Sequence, residues 1–195
     1  MFEENLYPDL VKVFYSNIDV SEENKTWVIT NIRGVTIDFD VSMLNSILRS
    51  SDFCLEIFSP RKSPKLDSYI HVDVVRNICL RNDLSVEDCT IHFHTQCLCL
   101  QTRILLRFIQ SIALPKLGHL DEFSHMDVVL IDCILRRRPI NLGYTIIWTM
   151  LIIPALISRP LPYGHFITQI LKHFNVPIHE PSCRPFLGYR GWRCF

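Results

Sequence analysis

The chain has 195 residues, 48% of them hydrophobic and 21% charged, proportions that exclude wholesale disorder, a collagen-like repeat and a low-complexity scaffold. Twenty basic side chains cancel twenty acidic ones, which excludes a surface built throughout to coat nucleic acid or anionic lipid. The cancellation hides a polarity along the chain, because residues 1–95 hold 9 basic and 15 acidic side chains while residues 96–195 hold 11 and 5.

The opening MFEENLYPDL is acidic and lacks the basic start and apolar run of a secretory signal. Eight cysteines without regular spacing do not make a secreted disulfide scaffold. An intracellular protein, in cytoplasm or nucleus, is expected. The first helix is predicted from about Tyr7 to Ser16, with Leu6, Leu10, Val13 and Phe14 on one face. Val28, Thr30 and Ile32 then alternate, as do Val35, Ile37 and Phe39, and Arg33-Gly34 between them predicts a β-hairpin. Asp40 is placed to cap a following helix whose stripe is Met43, Leu44, Ile47 and Leu48.

Residues 50–68, with SPRKSP at their centre, read as an exposed basic loop. Ser85 and Asp88 resemble a capping box ahead of a short helix. Ile104, Leu105, Phe108, Ile109 and Ile112 predict a buried amphipathic helix ending at Pro115. Ser124 and Asp127 predict a cap for the next helix, whose apolar face is Val128, Leu130, Ile131, Ile134 and Leu135 and whose end carries Arg136, Arg137 and Arg138. The stretch Pro139 to Ser158 is free of formal charge and has the length of a membrane span. Asn141, Thr145, Thr149 and Pro154 interrupt it, so the preferred reading is a core helix from Leu142 to Ile153, with a single membrane span through 140–158 as the alternative. A last helix has Phe166, Ile167, Ile170, Leu171 and Phe174 at helical spacing. The fold expected is α+β, a mainly α-helical single domain over 1–178 with one small N-terminal β-hairpin.

Few constellations carry chemistry. His92, His94, Cys97 and Cys99 form the densest metal-like cluster. Four tetrahedral ligands normally come from two backbone pieces, and on one strand the histidines and cysteines fall on opposite faces, so no metal or other cofactor is assigned. A Mg²⁺-dependent transposase or nuclease would need converging carboxylates, for which Asp121, Asp127, Asp132 and the distant Asp38 are the candidates. Single glycines leave no phosphate-cradling loop and imply no small-molecule substrate. The tail, 179–195, interleaves Arg184, Arg190 and Arg193 with Tyr189 and Trp192, a composition in which bases stack while guanidinium groups meet phosphate. Together with Arg136, Arg137 and Arg138, these residues are the candidate nucleic-acid contacts. The plainer alternatives for the tail are a segment folded back on the core or the end of a longer reading frame.

The order of IRGVTIDFD, LNSIL, LPKLGHLDEFSHMDVVLIDCILRRRPINLGY and RPLPYGHFITQILKHFNVPI resembles a plant retroelement-derived domain family known as putative plant transposon protein. The resemblance runs from about Tyr7 to Ile178 and is strongest from Arg103 to Pro177. It implies a mobile-element origin in a plant genome, favours the core-helix reading of 142–153, and transfers no catalytic residues. The expectation is a transposon-derived domain that is not an enzyme and acts by self-assembly or nucleic-acid association.

Overall fold

A computed structural model of the chain describes residues 6–19, 26–52, 55–57, 70–79, 93–116, 120–152 and 161–178. The architecture is α+β and mainly helical, with the expected N-terminal hairpin. The chain divides into two compact units, one made of Met1–Asp52 with Leu142–Phe195 and the other of Phe53–Asn141. The first is therefore assembled from two stretches of chain, and the second lies between them in sequence.

In the first unit, α1 (Pro8–Ser16) begins with a proline at its first turn, where the missing N–H has no helical partner to lose. Strands β1 (Trp27–Ile32) and β2 (Val35–Asp40) pair antiparallel, with Ile32 opposite Val35 and Trp27 opposite Asp40. Arg33 and Gly34 turn the hairpin with positive φ angles of 54° and 79°, the two-residue geometry that matches the strands' own twist. Alternation puts Val28, Thr30, Ile32, Ile37 and Phe39 inside. Buried Thr30 donates its hydroxyl to the Phe14 carbonyl of α1 at 3.2 Å. The Arg33 side chain reaches along the unit to the Pro177 carbonyl at 2.6 Å.

Asp40 caps α2 (Val41–Leu48), its Oδ1 accepting the Met43 N–H at 2.8 Å. Leu44 is buried while Met43 and Val13 are exposed, so the apolar stripes on α2 and α1 extend past the core. The uncharged segment forms α6 (Leu142–Ile152), with Ile146, Ile147, Met150 and Leu151 in the same core as α1, the hairpin and α7 (Gly164–His173). Among the described residues no helix is long and apolar enough to cross a membrane. In α7, Ile167, Ile170 and Leu171 are buried, with Phe166 and Phe174 partly so.

The close approach of α2 to α6 turns on one amide. Asn45, fully buried, accepts the Gly143 N–H on its Oδ1 at 2.8 Å. That proximity requires glycine, because a Cβ at 143 would stand 2.6 Å from Asn45 Oδ1 and 3.0 Å from the Val41 carbonyl oxygen. The INLGY segment is thus fitted to α2 by the lack of a side chain.

The second unit holds α3 (His71–Cys79), the short antiparallel pair β3 (Phe93–His94) and β4 (Glu122–Phe123), a 3-10 turn at Thr95–Cys97, α4 (Leu100–Ile112) and α5 (His125–Leu135). Sequence reading misses α3, although Val74, Val75, Ile78 and Cys79 are buried on one side of it. Their companions in the core are Leu98, Leu106, Ile109, Phe123, Val128, Leu130 and Ile131. Within the stretch read as an exposed loop, Ile57 is buried against Met126, Val129 and Cys133, and Leu55 bridges to Ile140. The capping pair Ser85 and Asp88 lies outside the described residues.

The helix at 100–112 corrects one expectation. Ile109 is inside, but Ile104, Phe108 and Ile112 are exposed, and the buried side is completed by Leu106 with Thr102 and Gln110. Ile134 and Leu135 at the end of α5 are exposed as well.

Gly143→Ala is expected to destabilise the full chain by about 1–3 kcal/mol, the usual cost of overpacking a closed contact. Denaturant unfolding of the single and double variants with Asn45→Ala checks this. The penalty should shrink in the Asn45→Ala background if the amide is what the new methyl group meets.

Candidate nucleic-acid interface

The described part of the candidate interface is the end of α5, and the start of that helix is fixed by its cap. Ser124 and Asp127 form the reciprocal capping box that their spacing predicts, with Asp127 N donating to Ser124 Oγ at 3.3 Å and Ser124 N donating to Asp127 Oδ2 at 2.6 Å. Asp127 is fully buried, and its Oδ2 also meets Lys116 Nζ at 2.7 Å. Lys116 Nζ and Gln110 Nε2 both donate to the Glu122 carbonyl at 3.1 Å. The Lys116 cation, the Ser124 N–H and the Ser124 hydroxyl, at 2.8 Å, replace the water that Oδ2 loses on burial, while Oδ1 is buried with no hydrogen-bond partner among the described residues.

At its other end, α5 closes with a Schellman arrangement. Arg137 N–H bonds the Ile134 carbonyl at 3.1 Å and Arg138 N–H bonds the Cys133 carbonyl at 2.7 Å, with Arg137 in the left-handed region at φ 55°. Glycine or asparagine usually fills that place, and an arginine there costs about 1 kcal/mol. The three arginines then take different roles. Arg136 Nε binds Asp132 Oδ1 at 2.7 Å, one turn back. The guanidinium groups of Arg137 and Arg138 have no hydrogen-bond or carboxylate partner among the described residues. All three sit at the C-terminal end of the helix dipole, where positive charge is favoured.

The other residues singled out in the sequence fare unevenly. Arg184, Tyr189, Arg190, Trp192 and Arg193 lie outside the described residues, as does His92. His94 is exposed, with Nδ1 3.7 Å from Asp121 Oδ2. Cys97 belongs to the 3-10 turn and Cys99 is the N-cap residue of α4. Among the described residues, no group of three or more histidine, cysteine, aspartate or glutamate side chains could hold a metal ion. Three of the four carboxylates weighed for strand transfer have structural partners: Asp38 accepts from Trp27 Nε1, Asp127 holds the cap and Lys116, and Asp132 holds Arg136; Asp121 is exposed beside His94.

Sequence reading did not separate the cysteines, and the structure does. A hydrogen bond between the Cys99 thiol and Thr102 Oγ1, at 3.1 Å, lowers the thiol below its ordinary pKa, with further help from backbone N–H groups at the helix start. Burial pushes Cys133 up to about 11, and neighbouring Asp132 adds to the shift.

Asp127→Ala removes a cap, a buried acceptor and the partner of Lys116 together, and is expected to cost about 2–4 kcal/mol in denaturant unfolding of the full chain. Iodoacetamide labelling between about pH 7 and 9, read by peptide mass spectrometry, should modify Cys99 well before Cys133. The lowered thiol is already partly thiolate in that window, whereas the raised one stays protonated throughout it.

A sequence profile of the family described as putative plant retrotransposon-related domain matches residues 2–177. No curated protein and no solved structure shows a significant match to the chain. The profile spans both units and every described element but the last residue of the closing segment, so the chain belongs to this plant retrotransposon-related family.

Proposed function

We propose that this retrotransposon-related domain acts without catalysis, associating with nucleic acid through the arginine run at the end of α5. The observation that carries the reading is that Arg137 and Arg138 present guanidinium groups with no carboxylate partner among the described residues, next to an Arg136 held in place by Asp132. Guanidinium groups in that state meet phosphate oxygens without first breaking an ion pair. Arg137 adds a second support, because it occupies a left-handed position that glycine would fill with less strain. In this reading Arg184, Tyr189, Arg190, Trp192 and Arg193 supply further phosphate and stacking contacts from the tail. A Mg²⁺-dependent strand transfer draws no support from Asp38, Asp127 and Asp132, each of which has one oxygen engaged by a side chain of the fold.

Gel-shift titration with single-stranded RNA and DNA across a range of salt tests the reading. Affinity should fall as salt rises, and Arg137→Ala or Arg138→Ala should each flatten the logarithmic salt slope by about 0.7. Arg137→Gly should weaken binding while stabilising the protein by about 1 kcal/mol, a combination that loss of structure cannot produce. Absence of binding at low salt would remove nucleic acid and leave assembly with protein as the function.

A further inference from the structure

Among the described residues, five other than glycine take left-handed backbone angles, and three of them are arginines: Arg33, Arg49 and Arg137, with φ of 54°, 54° and 55°. An arginine has no local advantage there. Glycine escapes the clash of a Cβ, and asparagine offsets it with a short polar side chain. Strain of this kind is kept where something compensates for it, and the residue's own side chain is the first place to look. Arg33 shows that compensation inside the protein, because its guanidinium donates to the Pro177 carbonyl at 2.6 Å.

Arg49 closes α2 with the same pair of hydrogen bonds that Arg137 and Arg138 give α5. Its N–H reaches the Ser46 carbonyl at 3.2 Å, and the Ser50 N–H reaches the Asn45 carbonyl at 2.8 Å. The motif itself does not need an arginine. Helix α7 ends in the same way on left-handed Asn175, whose N–H bonds the Lys172 carbonyl at 3.1 Å while the Val176 N–H bonds the Leu171 carbonyl at 2.9 Å. Unlike Arg33, Arg49 is exposed and its guanidinium has no hydrogen-bond or carboxylate partner among the described residues. The nearest carboxylate along the chain, Asp52, accepts the Ser42 hydroxyl at 2.7 Å. That places it against the first turn of α2, about 10 Å along the axis from the closing residue.

The acceptor that answers Arg49 therefore lies outside the protein. A single carboxylate is a poor candidate, since an exposed ion pair gains almost nothing. A polyanion is a better one, because each cation that meets it releases condensed counterions. We infer that Arg49 is a phosphate contact of the first unit, additional to the arginine run at the end of α5. The inference rests on the nucleic-acid reading above and extends it to the unit that the reading leaves unused. Exposed Ser46 and Ser51, on either side of Arg49 in sequence, bring hydroxyl donors of the kind that accompany guanidinium groups on phosphate. Such a contact adds affinity without sequence preference.

The test is gel-shift titration of the full chain with a single-stranded oligouridylate across a range of salt. Arg49→Gly should bind about fivefold more weakly at about 0.1 M salt and flatten the logarithmic salt slope by about 0.7. It should also raise the denaturant midpoint, because glycine relieves the left-handed strain, so the weaker binding is not loss of structure. Lys12→Ala removes the same charge from an ammonium held by Asp9 at 2.8 Å and should leave the slope unchanged. Arg49→Gly combined with Arg137→Gly should flatten the slope by about 1.4, the sum for two separate contacts. If the parent binds and Arg49→Gly keeps the parental slope, the inference is overturned and the nucleic-acid reading stands. Equal flattening by Lys12→Ala overturns it too, since net charge alone would then be at work. A parent that binds no RNA at low salt removes both. Flattening by Arg49→Gly but not by Arg137→Gly upholds Arg49 and removes the arginine run.

Discussion

The contact between Asn45 and Gly143 joins residues 98 apart in sequence, and the first unit exists only when that long excursion of chain is closed. Closing a loop of this size costs about 4 kcal/mol in chain entropy beyond a constant term. A buried hydrogen bond contributes about 1 kcal/mol, so Asn45–Gly143, even with the Tyr15 hydroxyl on the Pro162 carbonyl and Arg33 on the Pro177 carbonyl, does not close it. Burial does. Phe14, Val28, Ile32, Ile37 and Phe39 come from before the excursion and Ile146, Ile147, Met150, Ile167 and Ile170 from after it, all nearly inaccessible to water, at about 1.5–3 kcal/mol for each large side chain. The amide bond's part is registration: it selects which turn of α6 lies against α2, and glycine permits the approach.

Charge is handled differently in the second unit. Two of its acidic side chains serve as local fasteners, Asp127 at the start of α5 and Asp132 near the end, while the guanidinium groups at 137 and 138 have no carboxylate partner among the described residues. A run of arginines past the helix end complements a carboxylate at its start. The family membership gives this division of labour a mobile-element setting and leaves the chemistry to the residues.

Features governed by neighbours in sequence were legible. The hairpin followed from alternation around Arg33-Gly34, the Asp40 and Ser124 caps from three-residue spacing, and the arginine run from charge alone. Features governed by distant partners were not. Nothing around Asn45 announces Gly143, and nothing around Asp127 announces Lys116. Helix α3 escaped because it is short and rich in β-branched valine, although Val74, Val75, Ile78 and Cys79 have helical spacing. Helix α4 taught the sharper lesson: periodicity locates an apolar stripe, but whether the stripe meets the protein's own core or something else is a tertiary fact. The left-handed Arg137 was invisible for a related reason, since a sequence lists an arginine without its φ.

The divided construction of the first unit bears on how the protein is born. During synthesis α1, the hairpin and α2 leave the ribosome with half of their eventual interior untranslated, and Phe14, Val28 and Phe39 must wait for Ile146 and Ile170. At 5–20 residues per second that delay is roughly 5–20 s, long compared with the microseconds in which a hairpin forms. The nascent chain therefore passes through a long interval with sticky N-terminal faces in water, an interval in which chaperones, or premature association with other chains, compete with the native ending.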